Sequence, residues 1–253
     1  MSYNLNNPIA KRDTKVVYVD DRNTIKLFNE GYSKADIFNE AMNTARVEEG
    51  TNLNMAKVKE VVTIDNKLAI IYEHIKGETL AELMEKNPDK LDEYLNLFVD
   101  IQMEIFANKV PLLNRMADKF KKRISEADVF EESTKYELLQ RLEGMKSHVK
   151  LCHGDFVPSN VVITESGEHY IIDWAHVTQG NAGSDVATTY LQLCMNGKKE
   201  VAEKYIDLYA KKSGTEKSYI QNWIPIAAAI QYVKQKPEQK DILKHWIDVV
   251  EPQ

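Results

Sequence analysis

The chain has 253 residues, a net charge of −6 with its six histidines counted neutral, and hydrophobic (43%) and charged (28%) fractions ordinary for a globular protein. That length is enough to bury a substantial core, and the acidic balance excludes a protein whose main task is gripping a polyphosphate backbone, so no nucleic-acid partner is expected. Cys152 and Cys194 are the only cysteines and form no Cys-x-x-Cys pair, which excludes a disulfide framework and a cysteine-built zinc site.

The N-terminal "MSYNLNNPIAKRD" has no apolar run of the kind a secretory leader needs, and no stretch reaches the length of a membrane span. A cytoplasmic location and no membrane partner are expected. "KVVYVDDRNTIKLFN", Lys15 to Asn29, reads as two β-rich runs around Asp20, Asp21, Arg22 and Asn23, hence a hairpin. A helix follows over "SKADIFNEAMNTARVEEG", with Ser33 and Asp36 as a capping box and Gly50 as its stop. "AKVKEVVTI" and "KLAIIYEHI" are further strands that turn at Asp65 and Asn66.

After "KGETLAELMEKNPDK" the period changes. Leu91, Tyr94, Leu95, Phe98, Ile101, Ile105 and Phe106 recur at spacings of three and four, a buried helical stripe. Residues 112–126 and 132–148 are again helical in pattern, and "DKFKKRIS" within the first reads as a solvated basic face. Strands return in "LCHGDFVPSNVVITESGEHYIIDWAHV", and helices are expected at 185–196, 198–212, 216–235 and 239–250, with Pro225 either kinking the third or starting a new one. Cys152, on an entering apolar run, reads as a small buried hydrophobe, and Trp223 and Trp246 read as core residues.

Strands with one helix thus precede helices with one small hairpin. This order implies an α+β fold in two lobes: a small strand-rich N-terminal lobe over residues 1–75 and a larger, mainly helical C-terminal lobe over 76–253, with a seam near Glu73 to Gly77.

Val161 to Thr164 and His169 to Ile172 can pair around Glu165, Ser166, Gly167 and Glu168, which brings Asn160 and Asp173 to one end of a hairpin. A carboxylate and an amide oxygen suit magnesium, which takes hard oxygen donors rather than His or Cys. Asp155, on the loop ahead of Asn160, would sit where an acceptor hydroxyl arrives, so the stretch holds metal ligands and an orienting carboxylate, as phosphoryl transfer requires. Taken singly each residue has a plainer reading: Asp155 as a loop Asx turn, Asp173 as a strand end, Lys26 and Glu40 as surface charges. Order, spacing and flanking apolar runs agree only jointly, and joint agreement is the context a motif needs.

His-x-Asp, four intervening residues, Asn, then a hairpin ending in Asp-aromatic resembles the catalytic and metal loops of protein kinases, and "HGD" with "IDW" resembles the aminoglycoside phosphotransferase and choline kinase branch. The resemblance covers most of residues 8–195, through "GNAGSDVATTYLQL" and back to "IIYEHIKGETL". It implies a protein-kinase-like fold, ATP and magnesium as cofactors, and transfer of the γ-phosphoryl group to a hydroxyl of a small molecule. By the same resemblance Asp155 is the catalytic base, Asn160 and Asp173 hold magnesium, Lys26 contacts the α- and β-phosphates, and Glu40 holds Lys26. The backbone of Glu73, His74 and Ile75 would receive the adenine edge, while His153 and Asp185 support the loop. His74 and His176 otherwise read as surface or packing residues.

The pattern departs where kinases carry a glycine-rich turn over the phosphates: "PIAKRDTKVVYV" has no glycine. Either Lys11 or Arg12 substitutes a side-chain cation, or both face solvent. Val157 and Ser159 stand where relatives often show His and Gly. The acceptor stays open among aminoglycosides, choline-like alcohols, sugars and amino alcohols; Asp89, Asp92, Glu93, Asp100 and Glu104 either attract a polycation or form the solvent face of their helix. Rival readings are a nucleotide-binding module without turnover and a protein kinase, the latter disfavoured because "IDWAHV" reaches "GSDVA" with no long activation segment between.

Overall fold

The computed structural model describes residues 3–233 and 237–247. In chain order it holds β1 (Pro8–Lys11), β2 (Lys15–Val19), β3 (Asn23–Phe28), α1 (Lys34–Gly50), β4 (Val58–Ile64), β5 (Lys67–Glu73), β6 (Glu78–Thr79), α2 (Leu80–Lys86), α3 (Leu91–Phe106), α4 (Met116–Ser125), α5 (Glu132–Gly144), β7 (Lys150–Cys152), β8 (Val161–Ile163), β9 (His169–Ile171), β10 (Thr178–Gly180), α6 (Ala182–Met195), α7 (Lys199–Ser213), α8 (Lys217–Gln221), α9 (Ile224–Tyr232) and α10 (Pro237–Ile247). Single 3-10 turns cover Pro88–Lys90, Pro158–Asn160 and Trp174–His176. Strands in the first part and helices in the second make the α+β order expected of the sequence.

The chain divides into two compact units: residues 1–86 with 158–176, and residues 87–157 with 177–253. A single cut after Ile75 does not describe them, because β6 pairs antiparallel with β8, which in turn pairs with β9. The backbone of Ile171 also exchanges hydrogen bonds with Asn54 (2.9 Å) and Ala56 (3.4 Å). The hairpin bearing Asn160 and Asp173 is therefore part of the sheet-bearing unit.

That unit is built on a five-stranded antiparallel sheet in the order β1-β2-β3-β5-β4. Strict alternation sorts its residues: Phe28, Ile70 and Tyr72 pack with Ile37 and Ala41 of α1, whereas Ile25, Leu27, Ala69 and Ile71 form a second cluster with Tyr18 and Val62. Two turns set the register. Asp65 and Asn66 both have positive φ (47° and 62°), the backbone of a tight type I′ connection. Between β2 and β3, Asp20 Oδ1 accepts from the Arg22 and Asn23 amides at 3.0 and 2.8 Å. The α1 N-terminus is capped by Ser33, whose Oγ accepts from the Asp36 amide at 3.2 Å.

In the second unit α9 is apolar and buried along nearly its whole length, and it lies against α4, α5, α6 and α10. Phe98 of α3 stacks on Phe156 with ring centroids 4.4 Å apart. The helix expected over 216–235 is broken: α8 ends at Gln221, and Pro225 sits in the first turn of α9, where its missing N–H costs nothing. Residues 234–235 of that expectation, and 248–250 of the last one, lie outside the described residues. The span 132–148 stops early, at Gly144, and 112–126 begins only at Met116. Trp223 is core, its indole edge filling the space where Gly183 would carry a Cβ, and Trp246 packs edge-on against Tyr190. Among the described residues no helix is long and apolar enough to cross a membrane.

At Gly77 the backbone passes close to Ile163, and a Cβ there would run into the Ile163 carbonyl. Gly77→Ala is expected to destabilise by about 2 kcal/mol, read as a lower urea midpoint with unchanged slope.

Candidate active site

Lys26 alternates with Ile25 and Leu27 on β3 and so faces α1, where Glu40 falls in the buried series Ile37, Glu40, Ala41, Thr44 and Val47. Lys26 is 6% exposed and Glu40 7%, which rules out the plainer reading of both as surface charges. The two form a short ion pair, Lys26 also donates to Asp173 Oδ1 at 3.0 Å, and the Tyr72 hydroxyl donates to Glu40 Oε1 at 2.9 Å. Burial works against the Lys26 ammonium, but Asp173, Tyr72 and Glu40 overcome it and raise its pKa well above the ordinary lysine range. Burial likewise opposes charge on Asp173, and Lys26, then Lys15, hold its carboxyl well below the usual range.

Asp173 has φ 63°, a left-handed backbone that a non-glycine residue adopts at a cost. Its side chain is 30% exposed, and only Oδ1 is taken by Lys26. The amide of Ile172 donates to the Asn160 carbonyl at 3.0 Å, so the backbones that carry Asn160 and Asp173 run side by side. A carboxylate oxygen not taken by Lys26, on backbone that runs alongside that of Asn160, supplies with the Asn160 amide oxygen a hard-oxygen donor set of the kind magnesium takes, since it usually binds few protein ligands and fills the rest from phosphate and water. No cluster of three or more His, Cys, Asp or Glu converges among the described residues. Of the three residues expected to meet an adenine edge, two amides are already committed: Glu73 N–H to Lys57 O (2.8 Å) and His74 N–H to Arg22 O (3.1 Å). His74 Nδ1 also bonds the Thr24 hydroxyl at 3.1 Å, and burial, helped by Lys76, lowers its pKa.

In the second unit the loop after β7 is held from α6. Asp185 Oδ2 accepts from the His153 amide (3.0 Å) and Oδ1 from the Gly154 amide (2.7 Å), with Gly154 at φ 78°. Thr189 Oγ1 donates to Phe156 O at 2.8 Å, and Gln192 Nε2 donates to Asp155 Oδ1. Burial pushes the Asp185 carboxyl up, against the opposing pull of His153 and the two amides. His153 is fully buried, and its Nδ1 accepts from the Asp155 amide at 3.3 Å. The sequence-expected residues thus fall into two sets: Lys26, Glu40, Asn160 and Asp173 in one unit, His153, Asp155 and Asp185 in the other.

Sequence reading missed two residues. Lys15 shares the sheet face of Lys26, because it pairs with Phe28 and Val17 pairs with Lys26. Its Nζ lies 5.9 Å from the Phe28 ring centroid, and burial, then Lys26, lower its pKa against the pull of Asp173 and Glu40. Lys11 and Arg12 are exposed, the solvent-facing alternative of the two readings given for them. Gln192 is the other; the signal was a polar i, i+4, i+7 series, Asp185, Thr189 and Gln192, along one face of a buried helix. On α3, Asp92 and Asp100 are answered by Lys204 (2.9 Å) and Lys212 (2.7 Å) of α7.

The model of the phosphotransferase enzyme family matches residues 57–219. Among solved structures the chain resembles aminoglycoside phosphotransferase APH(4)-Ia, crystallised as a thermostable mutant with AMP-PNP and hygromycin B: 15% identity, TM-score 0.72, covering 95% of this chain and 91% of that one. ADP-bound APH(2'')-Ib matches at 16% identity and TM-score 0.60 over 96% and 91% of the two chains. Choline kinase LicA from Streptococcus pneumoniae matches at 14% and 0.62 over 95% and 91%. These likenesses establish the protein-kinase-like fold. No curated protein matches the sequence.

Lys26→Met leaves buried carboxylates without their cation and is expected to cost about 3 kcal/mol at pH 7. Because Asp173 is held low, its contribution is full above the ordinary carboxylate value of about 4 and fades as the pH falls from there toward its depressed native value. The gap between parent and variant should therefore be full at about pH 7, still wide near about pH 5, and shrink progressively only below about pH 4 in denaturant titrations. A gap independent of pH contradicts the assignment.

Proposed function

This chain belongs to the phosphotransferase enzyme family, and we propose that it transfers the γ-phosphoryl group of ATP, with magnesium, to a hydroxyl of a small molecule. The observation that carries this reading is Lys26, a buried ammonium tied to both Glu40 and Asp173. Such a cation is fixed in place without spending its charge on solvent, as a phosphate contact requires.

In this reading residues 1–75 bind the nucleotide and 76–253 carry the catalytic loop, metal loop and acceptor site. Lys26 and Lys15 meet the phosphates; Lys15 has no carboxylate partner at ion-pair distance among the described residues, and a half-buried ammonium of that kind calls for an anion from outside. It replaces the N–H donors that a glycine turn would offer. The turn itself is fixed by Asn29, whose amide donates to Thr14 O (2.8 Å) and whose Nδ2 donates to Asp13 O (2.7 Å). Asn160 and Asp173 would hold magnesium, which when bound neutralises phosphate charge. The amide left to meet an adenine edge is that of Ile75.

Asp155 accepts the hydrogen bond of the acceptor hydroxyl, aims its oxygen at the phosphorus and takes its proton as transfer completes. His153 and Asp185 keep the loop in shape. Between Asp173 and α6 lie only a 3-10 turn and β10, too little chain to seat a peptide, which favours a small acceptor over a protein. The acceptor classes are an aminoglycoside, a choline-like alcohol, a sugar or an amino alcohol. With Asp92 and Asp100 paired, the α3 carboxylates offer a weakened field for a polycation. Both cysteines are free, in keeping with a cytoplasmic location.

The test is a panel of alcohols and aminoglycosides assayed for acceptor-dependent ADP release. Asp155→Asn is expected to lower kcat about a hundred- to ten-thousandfold while nucleotide affinity stays within about twofold. Lys15→Met is expected to do the reverse, raising the nucleotide KM about tenfold with a smaller change in kcat. Nucleotide binding with no ADP release above a no-enzyme control, in any member of the panel, favours a binding module instead.

A further inference from the structure

We propose that Gln192 is a positioning residue, whose amide fixes the direction in which the Asp155 carboxylate points. The inference rests on the reading of Asp155 as the group that orients the acceptor hydroxyl.

The argument starts from what the other members of the α6 series do. Asp185 binds the amides of His153 and Gly154, and Thr189 binds the carbonyl of Phe156. Both grip backbone, and together they fix the loop on either side of Asp155. Gln192, one helical turn further along the same face, is the member that reaches a side chain. A half-buried Asp side chain on a fixed backbone still turns about its own bonds, and a donor set on one carboxylate oxygen selects one of those orientations.

The far end of the same amide gives independent support. Gln192 is 9% exposed, and its buried Oε1 has no hydrogen-bond partner among the described residues. The amide cannot be turned over to relieve this, since that would set its oxygen against the Asp155 carboxylate. A buried carbonyl oxygen without a donor weakens the fold, and an apolar side chain of equal length would avoid the penalty. Glutamine at this position serves stability poorly and serves Asp155 well, the pattern found where a fold gives up stability for a site.

The variants are Gln192→Met, Gln192→Glu, Asp155→Asn and the Gln192→Met, Asp155→Asn pair. Each is assayed as full chain for ADP release from ATP and magnesium with water as acceptor, and with choline or hygromycin B where they raise the rate. Gln192→Met is expected to melt no lower than the parent, to keep the nucleotide KM within about twofold, and to lose about ten- to a hundredfold in kcat. Gln192→Glu, which sets one carboxylate against another, should lose more. In the Asp155→Asn background, Gln192→Met should change kcat by less than about twofold, because the group it positions is gone. Equal losses in both backgrounds, or a kcat loss that tracks a lower melting temperature, reduce Gln192 to a structural residue and overturn the proposal. So does a parental kcat in Gln192→Met when Asp155→Asn is impaired. A parental kcat in Asp155→Asn itself removes the assignment of Asp155 on which the inference stands.

Discussion

A lysine ammonium placed between a sheet and a helix must be answered by negative charge, and much of the first unit follows from that demand. Lys26 is caught there by strand alternation: the register that buries Ile25 and Leu27 on one side commits Lys26 and Phe28 to the other. Glu40 then has to stand in the apolar stripe of α1, Tyr72 has to turn its hydroxyl toward Glu40, and Asp173 has to arrive from a hairpin far along the chain. Removing Lys26 leaves two carboxylates without their cation where water enters poorly, and removing Tyr72 takes a hydrogen-bond donor from Glu40, so the group behaves as a set rather than as separate bridges. The hairpin's membership of this unit, through β6, β8 and the Ile171 backbone bonds, is what makes Asp173 available to it.

The second unit solves a different problem, that of holding a tight loop with no regular structure of its own. Its answer is one helix face. Asp185, Thr189 and Gln192 lie a turn apart on α6 and satisfy in order two amides, a carbonyl and a carboxylate of residues 153–156. Behind them Gln102 and Tyr205 extend the polar chain into the core, with Gln102 Nε2 donating to the Thr189 hydroxyl at 3.4 Å. Rigid elements therefore aim the residues of a loop, as precise chemistry requires.

Much of this was legible in the sequence, for identifiable reasons. The Asp65-Asn66 turn was readable because few residues accept positive φ twice in succession, and α3 because its apolar spacing runs unbroken from Leu91 to Phe106. The "HGD" to "IDW" hairpin was readable because turn residues and apolar runs alternate at a length that closes. β1 was not, since a four-residue edge strand opening on proline carries no alternation to detect. The α8/α9 break was visible only as an ambiguity at Pro225. Lys15 and Gln192 were hidden for a deeper reason: whether a strand-end lysine faces in or out is fixed by its pairing with Phe28, and the worth of a helical glutamine by a loop 37 positions earlier in the chain.

The left-handed backbone at Asp173 has an evolutionary corollary. Glycine occupies such a conformation freely, and asparagine and aspartate at the least cost among the other residues, and asparagine and glycine each lie one base change from aspartate in the genetic code. Both would suit the local geometry while deleting the negative charge. A single nucleotide can thus place at position 173 a residue that the backbone accepts while the buried Lys26 loses one of its two carboxylate partners.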